Sequence, residues 1–173
     1  TKLKASEKLK EIQLAVDGKT EDLKKVWSPD MPADTTDLAE RQNALDSAIR
    51  DVANTDPAIK EWNEKTKDAD KITPETIYAW IFKEDLTTSI SKLPLDNKLD
   101  KPNKDQVTAL QSTMSMLGLL KPGYKAGEYD DKTIAAVKQF QEDKQIIQKP
   151  GETKGDPIEA TLAALKSIVD KAN

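Results

Sequence analysis

The chain has 173 residues, enough for one or two small domains, and only 36% of them are hydrophobic. It contains no histidine and no cysteine, so it lacks the commonest zinc ligand and general base, and it has no disulfide framework, thiol nucleophile or redox site. A net charge of −4 argues against nucleic-acid binding, which needs a cationic surface, and no apolar run is long enough to span a membrane.

Acidic and basic residues together make up 34% of the chain and are interspersed, a pattern that suits helical bundles with solvated outer faces. The halves differ. Residues 1–95 carry 15 basic and 19 acidic side chains and all three tryptophans, whereas residues 96–173 carry 12 of each charge. This asymmetry predicts two units, a helical N-terminal domain over 1–95 and a second domain over 96–173. No signal peptide is visible, which fits a mature form or a piece of a longer protein.

In the first half, Leu3, Leu9, Ile12 and Val16 share one helix face. Asp17-Gly18 reads as a stop, and Thr20 as the cap of a short helix ending at Trp27. Ser28-Pro29 breaks that helix, and Met31-Pro32 reads as loop. A longer helix starts near Thr36-Asp37 and carries Leu38, Leu45, Ile49 and Val52. Asp56-Pro57 caps the next, with proline in the first turn where no amide donor is needed; Ile59 and Trp62 anchor it. Thr73-Pro74 repeats the start signal ahead of Ile77, Tyr78, Trp80 and Ile81, and Leu93-Pro94 closes the unit. Asp96 to Lys104 is polar and reads as a linker.

In the second half, Asn103 caps a helix bearing Val107, Leu110, Met114 and Leu117 on one face, and Gly118 lets the chain leave it. Lys121 to Gly127 is loop by composition. Asp130 and Asp131 stand where the next helix must begin, with Ile134, Val137 and Phe140 facing inward. Asp156-Pro157-Ile158-Glu159 has the form of a capping box, followed by the stripe Ile158, Leu162, Leu165 and Val169. Three short amphipathic helices can share one core.

Over about residues 103–169, an ordered set of residues resembles the peptidoglycan-binding-like domain, a small three-helix cell-wall module. The set is Leu110-Gln111, Leu117-Gly118, Gly127, Tyr129, Thr133, Ala136-Val137, Phe140-Gln141, Gly155, Thr161 and Leu165. The resemblance departs in the loops. Ala126 stands where the family has aspartate, Asp130 and Ile158 replace the second loop glycines, and the segment from Glu142 to Gly155 is longer. The expected fold is all-α, a C-terminal three-helix bundle of this kind preceded by the helical N-terminal domain. That domain also reads as a degenerate copy of the same unit, because Ala58-Ile59-Lys60-Glu61-Trp62-Asn63-Glu64 aligns with Ala136 to Glu142 and Thr55 falls at the place of Thr133.

The resemblance implies non-catalytic binding of peptidoglycan, its glycan strands and stem peptides, by a secreted, periplasmic or wall-associated chain. The implied contact residues are Gln111, Tyr124, Gly127, Tyr129, Asp130, Thr133 and Gln141. The loop residues Tyr124, Tyr129 and Asp130 are the strongest of these, with an aromatic face for a sugar and a carboxylate for the peptide stem. Lys121 and Lys125 can meet stem carboxylates. Gln111 and Gln141 also suit a structural role, bonding loop backbone beside the core, and Gly127 suits a turn with positive φ. Tyr129 equally suits a place packed under its loop.

Neither cofactor nor metal is expected. Two other readings stand beside wall binding. One is a structural or protein-interaction module, with a self-associating surface or partner site in the first half, around Trp27. The other is a carboxylate-dependent glycan hydrolase, although the 31 acidic residues show no muramidase-like motif and alternate with bases as solvated helix faces do.

Overall fold

The computed structural model describes residues 2–28, 37–67, 70–94 and 98–171, with side chains from Glu7 onward. The expectations at Leu3, Pro29, Met31-Pro32 and Thr36 fall outside the described residues or side chains. Among the described residues the chain is all-α, with nine helices and no strand. No helix there is long and apolar enough to cross a membrane.

Unit 1 spans Thr1–Ile81. It contains α1 (Lys2–Thr20), α2 (Leu23–Val26), α3 (Leu38–Thr55), α4 (Pro57–Lys65) and α5 (Pro74–Ile81). The stripes read from the sequence supply much of its core: Ile12, Val16, Leu45, Ile49, Ile59 and Ile77 are buried, each side chain stabilising the fold by roughly 1.5–3 kcal/mol, whereas Leu9, Leu38, Val52 and Trp62 are half-buried. α3 packs against α2, α4 and α5, and α1 against α5. The Tyr78 phenol, deep in this core, donates to Asp46 Oδ1 at 2.6 Å, and Asp46 Oδ2 accepts from Arg50 Nε at 2.8 Å. A buried hydroxyl is thereby satisfied through a carboxylate that reaches the surface.

The stop expected at Asp17-Gly18 does not occur. α1 runs through it to Thr20, whose hydroxyl donates back to Val16 O at 2.9 Å instead of capping α2. A glycine inside a helix costs about 1 kcal/mol, which the burial of Ile12, Val16 and Thr20 outweighs.

Asp56 does cap α4, accepting from the amides of Ala58 and Ile59 through Oδ1. Its other oxygen takes Lys19 Nζ at 2.6 Å, which ties α1 to α4. Asp56 is only 6% exposed. The Lys19 hydrogen bond first, and the two amides after it, hold its carboxyl below the usual range against the opposing effect of burial. Since the folded pKa is depressed, the stabilisation is present above the unfolded pKa and is lost as pH falls through the folded one. Thermal melts from about pH 7 to about pH 3 are expected to fall more steeply for the native chain than for Asp56→Asn, which keeps a capping oxygen but does not titrate. Equal pH slopes would remove this assignment.

Unit 2 spans Phe82–Asn173. It contains α6 (Lys83–Ile90), α7 (Lys104–Met116), α8 (Asp131–Asp143) and α9 (Glu159–Lys171). The units divide between Ile81 and Phe82, not at the 95/96 boundary suggested by composition, because α6 packs against α7 and α9. The buried hydroxyls of Ser89 and Thr113 join α6 to α7 at 2.8 Å. Nor does the whole polar stretch before α7 behave as a linker: Leu99 is buried, and its amide donates to Pro157 O at 3.0 Å.

Asn103 and Asp130 cap α7 and α8 as their sequences predict. Val107, Leu110, Met114, Leu117, Val137, Phe140, Ile158, Leu162, Leu165 and Val169 are buried, while Ile134 is half-buried. The capping box at Asp156 does not form. α9 begins at Glu159, Ile158 O accepts the first amides from Thr161 and Leu162, and the Asp156 carboxylate turns to Lys101.

Candidate functional site

The loops of unit 2 are held by two glutamines acting in the same way. Gln111, on α7, is 1% exposed. Its Oε1 accepts from Gly127 N at 2.9 Å, and its Nε2 donates to Lys125 O, Glu128 O and Thr133 Oγ1 at 2.8–3.0 Å. Gln141, on α8, accepts from Gly155 N at 2.7 Å and donates to Asp156 O and Thr161 Oγ1. In each case a buried amide takes the N–H of a glycine at positive φ and reaches the threonine in the first turn of the following helix. The spacing from Gly127 to Thr133 equals that from Gly155 to Thr161. A primary amide has donors and an acceptor at one end, so a single side chain can answer both kinds of loop group.

The first clasp extends further than the second. Thr133 Oγ1 donates its hydrogen bond to Asp130 Oδ1 at 2.6 Å, Thr133 N donates to the same oxygen, and Lys125 N donates to Oδ2. Burial works against the Asp130 carboxylate, but the Thr133 hydroxyl and the Lys125 and Thr133 amides together hold its pKa below the ordinary value. Ile158 occupies the corresponding place ahead of Thr161 and has no side chain for this role.

Tyr129 links the two loops. Its phenol donates to Gly155 O, and Lys101 Nζ lies 5.3 Å from its ring centroid. Burial first, and the charge of Asp156 second, push the phenol pKa well up. Tyr124 is also shifted upward, by burial and the charge of Asp130 against the opposing effect of the Ser115 hydroxyl.

The structure therefore brings Gln111, Gly127, Asp130 and Thr133 together in one network, while Tyr129, from the same loop, and Gln141, from α8, both bond Gly155 of the neighbouring loop. The buried polar groups of this set bond to one another and to the loop backbone. The surface beside them is a cleft of about 480 Å³ between residues 98–102 and 151–158. Leu99, Pro102, Pro157 and Ile158 supply its apolar part, and Lys98, Asp100, Lys101, Glu152 and Asp156 its charges. Lys101 and Asp156 pair across it. Lys101 carries no local signal that singles it out in the sequence, since it stands in a run rich in lysine and its partner is distant along the chain.

In unit 1, Asn63 makes a smaller bond of the same kind. It accepts from Ile72 N at 2.7 Å and donates to Ile72 O at 2.9 Å. Asn63 is the residue that aligns with Gln141 in the comparison of the two halves. Thr55 does not act as Thr133 does, because it ends α3 and donates to Asp51 O. Trp27, expected at an interaction surface, is only 4% exposed. Among the described residues no cluster of acidic side chains is suited to hold a metal ion.

No family model matches the chain, and neither a curated protein nor a solved structure matches it.

Proposed function

We propose that the chain binds bacterial cell-wall peptidoglycan without cleaving it, acting outside the cytoplasm as a wall anchor through unit 2. The observation that carries this reading is the pair of glycine loops clasped from beneath by Gln111 and Gln141 and joined by Tyr129, with an open cleft beside the second loop. Rigid loops bordering a cleft suit recognition, because little ordering entropy remains to be lost on binding. The sequence resemblance over residues 103–169 supplies the ligand class. A glycan hydrolase would need a carboxyl held protonated near neutrality. The 31 acidic residues show no muramidase-like motif and alternate with bases as solvated helix faces do, which favours binding over hydrolysis.

The test is co-sedimentation of the full chain with purified, protein-free peptidoglycan. The chain is expected in the pellet, with no release of reducing ends. A chain that stays in the supernatant while its circular dichroism shows folded helix would overturn the proposal, and released sugar ends would replace it with the hydrolase reading.

A further inference from the structure

The geometry points to the peptide part of the wall polymer, not its sugars, as the occupant of the cleft between residues 98–102 and 151–158; this rests on the wall-binding reading above. Sugar rings are held well by open aromatic faces. No aromatic residue lines this cleft, and Tyr129, which lies beneath Lys101, has its hydroxyl tied to Gly155 O. The cleft instead offers charges of both signs above an apolar base of Leu99, Pro157 and Ile158.

Its central feature is the Lys101–Asp156 pair, whose side chains are 46% and 39% exposed. An ion pair so open to solvent is weak, so a ligand bearing both charges can exchange with it at little cost. A ligand carboxylate takes Lys101, and a ligand ammonium takes Asp156. Stem peptides of the wall carry free carboxylates and, at a diamino acid, a free amine, whereas the neutral N-acetylated sugars offer neither partner. The backbone on both sides is fixed: Leu99 N bonds Pro157 O, Asp100 N bonds Gln106 Oε1, and Asp156 O is held by Gln141. The pair can therefore open without the cleft collapsing.

The experiment is amide NMR on the full chain, titrated separately with a synthetic tetrapeptide stem containing a diamino acid and with the N-acetylglucosamine disaccharide. The peptide is expected to shift Leu99, Asp100, Lys101, Gly151 and Glu152, and the disaccharide to leave them in place. Lys101→Met is expected to weaken peptide binding at least tenfold. The exchanged pair Lys101→Asp with Asp156→Lys keeps a bridge across the cleft and serves as a folded control, which is expected to bind the peptide again. Shifts caused by the disaccharide at these amides would overturn the inference while leaving wall binding intact. So would a chain that sediments with peptidoglycan but shows no cleft response to the peptide. Failure to sediment together with no response to either probe would overturn both proposals.

Discussion

Gln111→Leu is expected to destabilise unit 2 by about 3 kcal/mol, with the Gly127 amide exchanging its hydrogen on the order of a hundredfold faster. Leucine nearly matches glutamine in volume, so the cost does not come from a cavity. It comes from the groups left behind. The buried Gly127 N–H loses its acceptor, Thr133 Oγ1 loses a donor, and the carbonyls of Lys125 and Glu128 lose theirs. An unsatisfied buried group costs about 1–3 kcal/mol. Lys125 and Glu128 lie in exposed residues where water can replace part of the loss, which keeps the total below the sum for four groups. Gln111→Glu is the sharper variant, since it preserves an acceptor for Gly127 but turns a carboxylate oxygen toward two carbonyls. Gln139→Leu, on the exposed face of α8, is expected to change stability by less than about 0.5 kcal/mol. Unchanged exchange at Gly127 in Gln111→Leu would show that the loop holds itself.

The parts of this fold legible in the sequence are those whose cause is local. Asp56-Pro57, Asn103 and Asp130 cap their helices because a short side chain next to free amides needs no distant partner. The stripes of α7 and α9 are legible because helical periodicity assigns Val107, Leu110, Met114 and Leu117, or Ile158, Leu162, Leu165 and Val169, to one face. Local signals failed where a distant group competed with them. Asp156 has the ideal setting for a cap, yet its carboxylate goes to Lys101. Composition at residue 96 suggests a linker, but the Ser89–Thr113 bond and the burial of Leu99 draw the neighbouring segments into unit 2.

The candidate site divides in the same way. That Gln111 and Gln141 bond loop backbone follows from a glutamine beside a core stripe, and the structure supplies the partners. The cleft itself was not legible, because Lys101 and Asp156 meet only after α7, α8 and both loops are in place. The Asn63–Ile72 bond bears on the likeness between the two halves. It keeps the helix-to-loop amide contact of Gln141, but both of its bonds go to Ile72, whereas Gln141 also donates to Thr161 Oγ1 at the start of α9.

Gly155→Ala is expected to cost more than Gly127→Ala, about 2–3 kcal/mol against about 1–2. Both glycines have positive φ, +93° and +83°, so both alanines carry the same kind of backbone strain. Their surroundings differ. A Cβ at Gly127 would meet nothing closer than Thr108 Oγ1 at 3.5 Å, an ordinary contact. A Cβ at Gly155 would lie 2.9 Å from Lys138 Cε, 3.0 Å from its Cγ and 3.2 Å from Ile134 Cγ2. Gly155 also gives its N–H to Gln141 and its carbonyl to Tyr129, so any shift that relieves the crowding lengthens bonds to both. The excess is testable by removing the crowding side chain. Lys138→Ala combined with Gly155→Ala is expected to recover most of the difference, leaving the backbone term and the Ile134 contact. If thermal melts show the double variant no more stable than Gly155→Ala alone, the crowding is not the cause, and the cost lies in the bonds that join Gln141 and Tyr129 through this one residue.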